Sequence, residues 1–118
     1  EKIGTGMTES SGIFSFPSTG KYLVTEFWML NVASGDVAGI NGSITTDNSS
    51  YTIITNSTFV SQGGAQYMMS SNQFLVDVTN ISNVKMKWST SSFGTGTVVI
   101  GATERNRSSV SFLRIGDT

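Results

Sequence analysis

Hydrolytic or nucleophilic chemistry needs a nucleophile with a base beside it, or two carboxylates held across a cleft. This chain has few residues that meet either requirement: there is no histidine and no cysteine, and eight acidic side chains are scattered over 118 residues. Glu26 stands out because it lies inside a strongly apolar run, two residues after Val24 and two before Trp28. A glycoside hydrolase requires a second carboxylate close to the first, and the sequence supplies no evident partner. Glu26 therefore reads as a strand-end or water-facing residue, or as the partner of a nearby Lys or Arg. Asp36, Asp47 and Asp117 fall in turns, where short acids accept hydrogen bonds from their own backbone, and nothing else supports calcium ligation there. Gly63-Gly64 and Gly94-Thr95-Gly96 open no helix, so they read as loop punctuation and not as phosphate cradles. Asn-x-Ser/Thr triplets begin at Asn41, Asn48, Asn56, Asn80 and Asn106, but chance accounts for most of them in a chain this rich in those residue types. No catalytic residue, cofactor site or metal site is assigned, and the chain reads as a non-enzyme.

The elements that must position these residues read as strands throughout. Residues 1–11 form a polar lead-in with an expected edge strand around Lys2 to Met7, and residues 12–118 form one domain. Strands are expected at Gly12 to Phe16, Lys21 to Asn31, Val37 to Thr46, Tyr51 to Val60, Ala65 to Val78, Val84 to Trp88, Thr97 to Thr103 and Ser109 to Ile115. The long Ala65 to Val78 segment is expected to bulge or split near Ser70-Ser71-Asn72. Turn residues punctuate the pattern. Pro17-Ser18-Thr19-Gly20 combines a fixed φ with a permissive one, and Asp47-Asn48-Ser49-Ser50 closes a hairpin. These short, regularly spaced strands, with no helical periodicity, indicate an antiparallel β-sandwich or jelly roll of about 8–10 strands.

One strand is unusual. On Lys21 to Asn31, Tyr22, Val24 and Trp28 share one face, while Leu23, Phe27 and Met29 share the other. Both faces are apolar, so the strand is expected to be central and covered twice, the second cover being another subunit or a helix or loop of the same chain. Composition removes several alternatives. Charged residues make up only 13% and the net charge is -1, so there is no electrostatic footprint for nucleic acid. No run is long enough to span a membrane, and without cysteine no disulfide framework exists. Glu1 is neither an initiator Met nor the start of a signal segment, which reads as a processed or excised piece of a longer protein.

The spacing Phe14-x5-Gly20-x-Tyr22-x-Val24 resembles the hallmark of the C1q and tumour-necrosis-factor jelly-roll superfamily. Two further segments, Leu75 to Trp88 and Ser109 to Ile115, are similar to that family's long strand with its return strand and to its closing strand. The chain departs from the pattern twice: Ile81-Ser82-Asn83 replaces the usual Gly-Asp turn, and Glu26 occupies the place of an aromatic beyond Val24. The resemblance implies a homotrimer in which Leu23, Phe27, Leu75, Leu113 and Ile115 face the threefold axis. Tyr22, Val24, Trp28, Val76, Val78, Met86, Trp88 and Phe112 then fill the sandwich. The texture of the chain, rich in Asn, Ser and Thr, looks most like versions of this fold in marine bacteriophage tail-fibre or appendage proteins. That likeness implies a virion location, other virion proteins as partners, and a role in attachment to a host cell-surface glycan or protein. Tyr51, Tyr67 and Phe93 are the candidate loop residues for such contacts. A purely structural capsid-decoration, head-fibre or trimerisation role, and a secreted C1q-like signalling module, are the alternatives.

Overall fold

The computed structural model describes residues 3–118, and these form two antiparallel sheets with no helix. In chain order the strands are β1 (Thr8–Ser10), β2 (Ile13–Ser15), β3 (Gly20–Val32), β4 (Val37–Thr45), β5 (Thr52–Val60), β6 (Gln66–Val78), β7 (Lys85–Ser91), β8 (Val98–Val99) and β9 (Ser109–Gly116). One sheet has the order β1-β2-β7-β4-β5. In the other, β3 is central: it pairs with β6 along its whole length on one edge, and with β9 and then β8 on the opposite edge. The β3–β6 ribbon sets the long dimension of the molecule, 47 Å, close to the ~43 Å that thirteen extended residues span.

Differences from the sequence-based expectation have local causes. The edge strand lies at Thr8–Ser10, where it pairs with β2, and not at Lys2 to Met7; Lys2 itself lies outside the described residues. No bulge interrupts β6. Ser70, Ser71 and Asn72 stay in register with Trp28, Phe27 and Glu26, because the polar inward residues of this stretch find hydrogen-bond partners inside the sandwich. The expected Thr97–Thr103 strand shrinks to Val98–Val99, which pairs only with Leu30 and Asn31 of β3.

The turn before β3 explains why Gly20 and Tyr22 are spaced as they are. Gly20 has φ +137°, and a Cβ there would sit 2.6 Å from both Arg114 Nε and the Gly116 carbonyl oxygen. Tyr22 donates its hydroxyl to the Ser18 carbonyl at 3.0 Å and packs its ring on Phe16, with centroids 4.8 Å apart. The turn from β6 into β7 is led by Asn80. The Asn80 side chain accepts from Ser82 N at 2.8 Å, and its carbonyl accepts from Val84 N at 2.9 Å, which returns the chain into β7.

The interior between the sheets has two apolar halves. One contains Phe16, Tyr22, Val24, Val76, Val78, Val84 and Met86. The other contains Leu30, Val32, Ala38, Ile40 and Phe59. Both halves receive apolar residues from each sheet, and Trp88 packs against both. Glu26 lies on β3 between Val24 of the first half and Leu30 of the second.

Candidate functional site

Two features stand out: the outer face of the β6-β3-β9 sheet, and a polar hub built around Glu26.

Strand alternation turns the odd-numbered residues of β3 away from the core, and pairing aligns them with their counterparts on β6 and β9. Leu75, Leu23 and Leu113 form one row. Gln73, Thr25 and Ser111 form the next, followed by Ser71, Phe27 and Ser109. Beyond the end of β9 come Met29 beside Met69, then Asn31 between Tyr67 and Val98. Leu23, Phe27 and Met29 are half-buried by their neighbours in the sheet, whereas Leu75 is 67%, Tyr67 and Met69 66% and Leu113 61% exposed. The other sheet is mixed: its outer face carries Lys85, Lys87, Ser89 and Ser91 from β7 and a side-chain amide pair, Asn56 Nδ2 donating to Asn41 Oδ1 at 2.5 Å, while Val37 of β4 and Ile53, Ile54 and Val60 of β5 are also exposed.

The residues expected at a threefold axis thus lie on one face, with Ile115 at its margin. A bulge opposite Lys21 and Tyr22 leaves Ile115 unpaired between Arg114 and Gly116, and 53% exposed. The candidate loop aromatics are not brought together. Tyr67 lies in β6 on the apolar face and not at a loop tip. Tyr51 precedes β5 and carries the Lys87 ammonium over its ring at 4.1 Å. Phe93 packs onto the Leu30–Phe59 half of the core.

Glu26 overturns the expectation of a water-facing or cation-paired residue. It is 1% exposed, because its even-numbered place on β3 puts it on the inner face with Tyr22, Val24 and Trp28. Among the described residues no Lys or Arg pairs with it. Instead, neutral donors surround the carboxylate. Oε1 accepts from Thr55 Oγ1 at 2.7 Å and Trp88 Nε1 at 2.8 Å. Oε2 accepts from Trp28 Nε1 at 3.2 Å and Asn72 Nδ2 at 3.4 Å. Asn72 also donates to Ser57 Oγ at 2.9 Å, which is in turn 2.9 Å from Ser70 Oγ. The hub therefore ties β3 and β6 of one sheet to β5 and β7 of the other. A carboxylate removed from water must be hydrogen-bonded on both oxygens, and the described residues show no buried side-chain polar atom without a partner. Gly42 makes room for the group: a Cβ there would lie 2.7 Å from Glu26 Oε1 and 2.8 Å from Trp88 Nε1. The signal available in the sequence was the parity of Glu26 with Val24 and Trp28; the donors come from three other strands and are invisible in spacing.

Among the described residues no second carboxylate bonds into the Glu26 hub, and they form no group of three or more metal-ligating side chains. A groove of about 820 Å³ runs along the open seam beside β9, lined mainly by apolar and aromatic residues such as Met7, Phe14 and Phe112, with Arg114 as its charged member. A smaller pocket of about 200 Å³ opens between Trp28 and Trp88.

Two turn acids organise loops. Hydrogen bonds from the Thr97 hydroxyl and from Gly94 N hold the Asp36 carboxyl below its ordinary value of 3.8. Backbone donors from Ser50 and Ser49, with the Thr45 hydroxyl, hold Asp47 well below the usual carboxylate range. Both groups bind protons more readily unfolded than folded, so the stability they contribute is complete above pH 3.8 and is lost as pH falls below it through the folded-state values. Thermal melts should be insensitive to these groups from neutrality to about pH 4 and then decline. The double variant Asp36→Asn, Asp47→Asn should start lower at neutral pH and show a shallower acid limb; identical acid limbs would contradict this assignment.

The chain matches no protein-family model and no curated protein in sequence comparison.

Proposed function

We propose that this chain is a trimeric jelly-roll module of a virion, acting as an assembly and attachment domain of a tail fibre or related appendage. The observation that carries the proposal is the outer face of the β6-β3-β9 sheet, where the Leu75–Leu23–Leu113 row is followed, beyond the polar Gln73–Thr25–Ser111 row, by Phe27, Met29 and Met69. Large apolar side chains gathered on one exposed face, as Leu75, Leu113 and Met69 are, mark interaction surfaces. The dimensions of the single chain agree with a missing neighbour. Its surface is 6981 Å², against about 6,200 Å² for a folded monomer of this size. Its radius of gyration is 15.4 Å, against about 13.5 Å. The jelly-roll assignment draws on strand order. Five of the eight connections cross between the sheets, with β1–β2, β4–β5 and β8–β9 staying within one, and the terminal β9 returns to the middle of the chain's own fold beside β3. The virion setting rests on the sequence resemblance.

In this reading three copies bury their apolar sheets against one another, on the order of 2,000 Å² or more, as obligate interfaces do. The exposed polar loops then stand in triplicate around one axis, so that weak individual contacts to a host-surface glycan or protein add through high effective concentration. A purely structural trimerisation or capsid-decoration domain is the second reading. It is favoured by the placement of the candidate loop aromatics, of which Tyr51 lies under Lys87 and Phe93 against the core. Sedimentation equilibrium at micromolar concentration should give three chains per particle; a monodisperse monomer would overturn both readings. Glycan-array and host-cell binding by the assembled protein separates them, since absence of binding removes the attachment role and leaves the structural one.

A further inference from the structure

We infer that the pocket between Trp28 and Trp88 binds a methylated ammonium head group. It is built within one chain and does not rest on the assembly reading. The opening exists because neighbouring strands stop short on both sides. On one sheet β2 ends opposite Lys87, so β7 has no partner on that edge from Trp88 onward. On the other, β9 begins opposite Phe27 and β8 pairs only with Leu30 and Asn31; Met29 between them is bonded by Ile100 N and the Ser108 hydroxyl, and no strand residue on that edge pairs with Trp28. Trp28, Ile40, Trp88, Ser89, Thr90 and Val99 line the resulting pocket.

The two indoles form inclined walls, with centroids 6.5 Å apart and planes at 52°. Both indole nitrogens donate inward to the Glu26 carboxylate, at 3.2 and 2.8 Å. This has two consequences. The rings are held in place by buried hydrogen bonds and not merely by packing. A carboxylate with no cationic partner among the described residues also lies behind both of them. Tryptophan faces attract cations through the ring quadrupole, and hydrogen bonding of each N–H to an anion polarises the ring further in that direction. The site is thus an apolar pocket whose two indole walls are backed by an acidic side chain.

Size and lining narrow the ligand class. About 200 Å³ is below the ~300–1,000 Å³ of sites for drug-sized molecules, so a head group fits and a larger ligand does not. A sugar ring would need several directed polar partners, and the lining offers only the hydroxyls of Ser89 and Thr90. Methyl groups around a permanent positive charge suit apolar walls, aromatic faces and a remote anion together.

The chain has two tryptophans, and both line this pocket, so intrinsic fluorescence reports on it directly. Titration of the 118-residue chain with choline or tetramethylammonium should change that fluorescence with a Kd at or below about 1 mM. The uncharged isostere 3,3-dimethyl-1-butanol should bind at least about tenfold more weakly. Val99→Arg, at an exposed position on the pocket wall, should leave the circular dichroism spectrum unchanged and weaken choline binding more than about tenfold by placing a cation in the mouth. Equal affinity for choline and its neutral isostere, binding of methyl glucopyranoside in place of choline, or no fluorescence response to any probe would each overturn the inference.

Discussion

Glu26→Ala lowers the free energy of unfolding by about 3–5 kcal/mol, a large share of the ~5–15 kcal/mol typical of single domains. The loss arises because the donors outlive their acceptor. Trp28 Nε1, Trp88 Nε1, Asn72 Nδ2 and the Thr55 hydroxyl all point at the vacated site, and each buried donor left unpaired costs about 1–3 kcal/mol. Partial relief comes from rotation of Thr55 and from the Asn72 bond to Ser57, which keeps the total below the simple sum. Glu26→Gln should be milder. It retains one acceptor oxygen but turns an N–H group toward donors, and loses the charge-assisted strength of the remaining bonds, for about 1.5–3 kcal/mol. Urea denaturation checks both variants: the midpoint should fall in the order wild type, Gln, Ala at unchanged m. A loss below about 1 kcal/mol for Ala would show that the hub contributes little and that the two halves of the core hold without it. Its placement gives the buried carboxylate a structural role. A polar network with fixed partners on β3, β5, β6 and β7 admits one register between the sheets, whereas an apolar core tolerates several.

On the proposed trimeric reading, Leu23→Asp should give monomers while leaving each fold intact. Leu23 is at the middle of the three-leucine row, paired with Leu75 and Leu113, with its side chain half-buried on the outer face. Within a single chain that side chain stays near water, so a carboxylate there costs little. Within an assembly it would be enclosed by apolar neighbours, where an unpaired charge costs several kcal/mol per copy. Interface hot spots reach ~2–4 kcal/mol for truncation alone, and the threefold repetition multiplies the effect. Sedimentation should show single chains, and the circular dichroism spectrum should match the wild type. Two outcomes would count against the interface: persistence of the trimer, or loss of fold together with loss of assembly. The second would mean that Leu23 supports its own subunit. Asn41→Asp, on the outer face of the opposite sheet, serves as a control that should leave assembly unchanged.

Much of the architecture was legible before any coordinates. The turn at Pro17 to Gly20 and the alternation of β3 could be read from residue type, because a positive φ at Gly20 and a period of two are local properties. The same alternation placed Leu23, Phe27 and Met29 together on one face. The short strands were harder. Val98–Val99 and Thr8–Ser10 depend on which length of β3 or β2 is left unpaired by other strands, and no local pattern records that. The candidate site divides in the same way. The apolar row was visible residue by residue, but its continuity across β6, β3 and β9 required the register.

Sequence alone determined the class of the molecule: an all-β chain without histidine or cysteine, carrying one strand apolar on both sides. Those conclusions follow from residue type and from spacing along one strand, which are available at short range. Tertiary structure decided the fate of Glu26. Whether a carboxylate on an inward-facing position is a liability or an anchor depends on what reaches it from elsewhere, and here the donors arrive from Thr55, Asn72 and Trp88, 29, 46 and 62 residues away along the chain, with Trp28 nearby. Hydrogen bonds act over about 3 Å in space and have no memory of distance in sequence, so only the folded packing of the two sheets could bring that hub, and the pocket beside it, into existence.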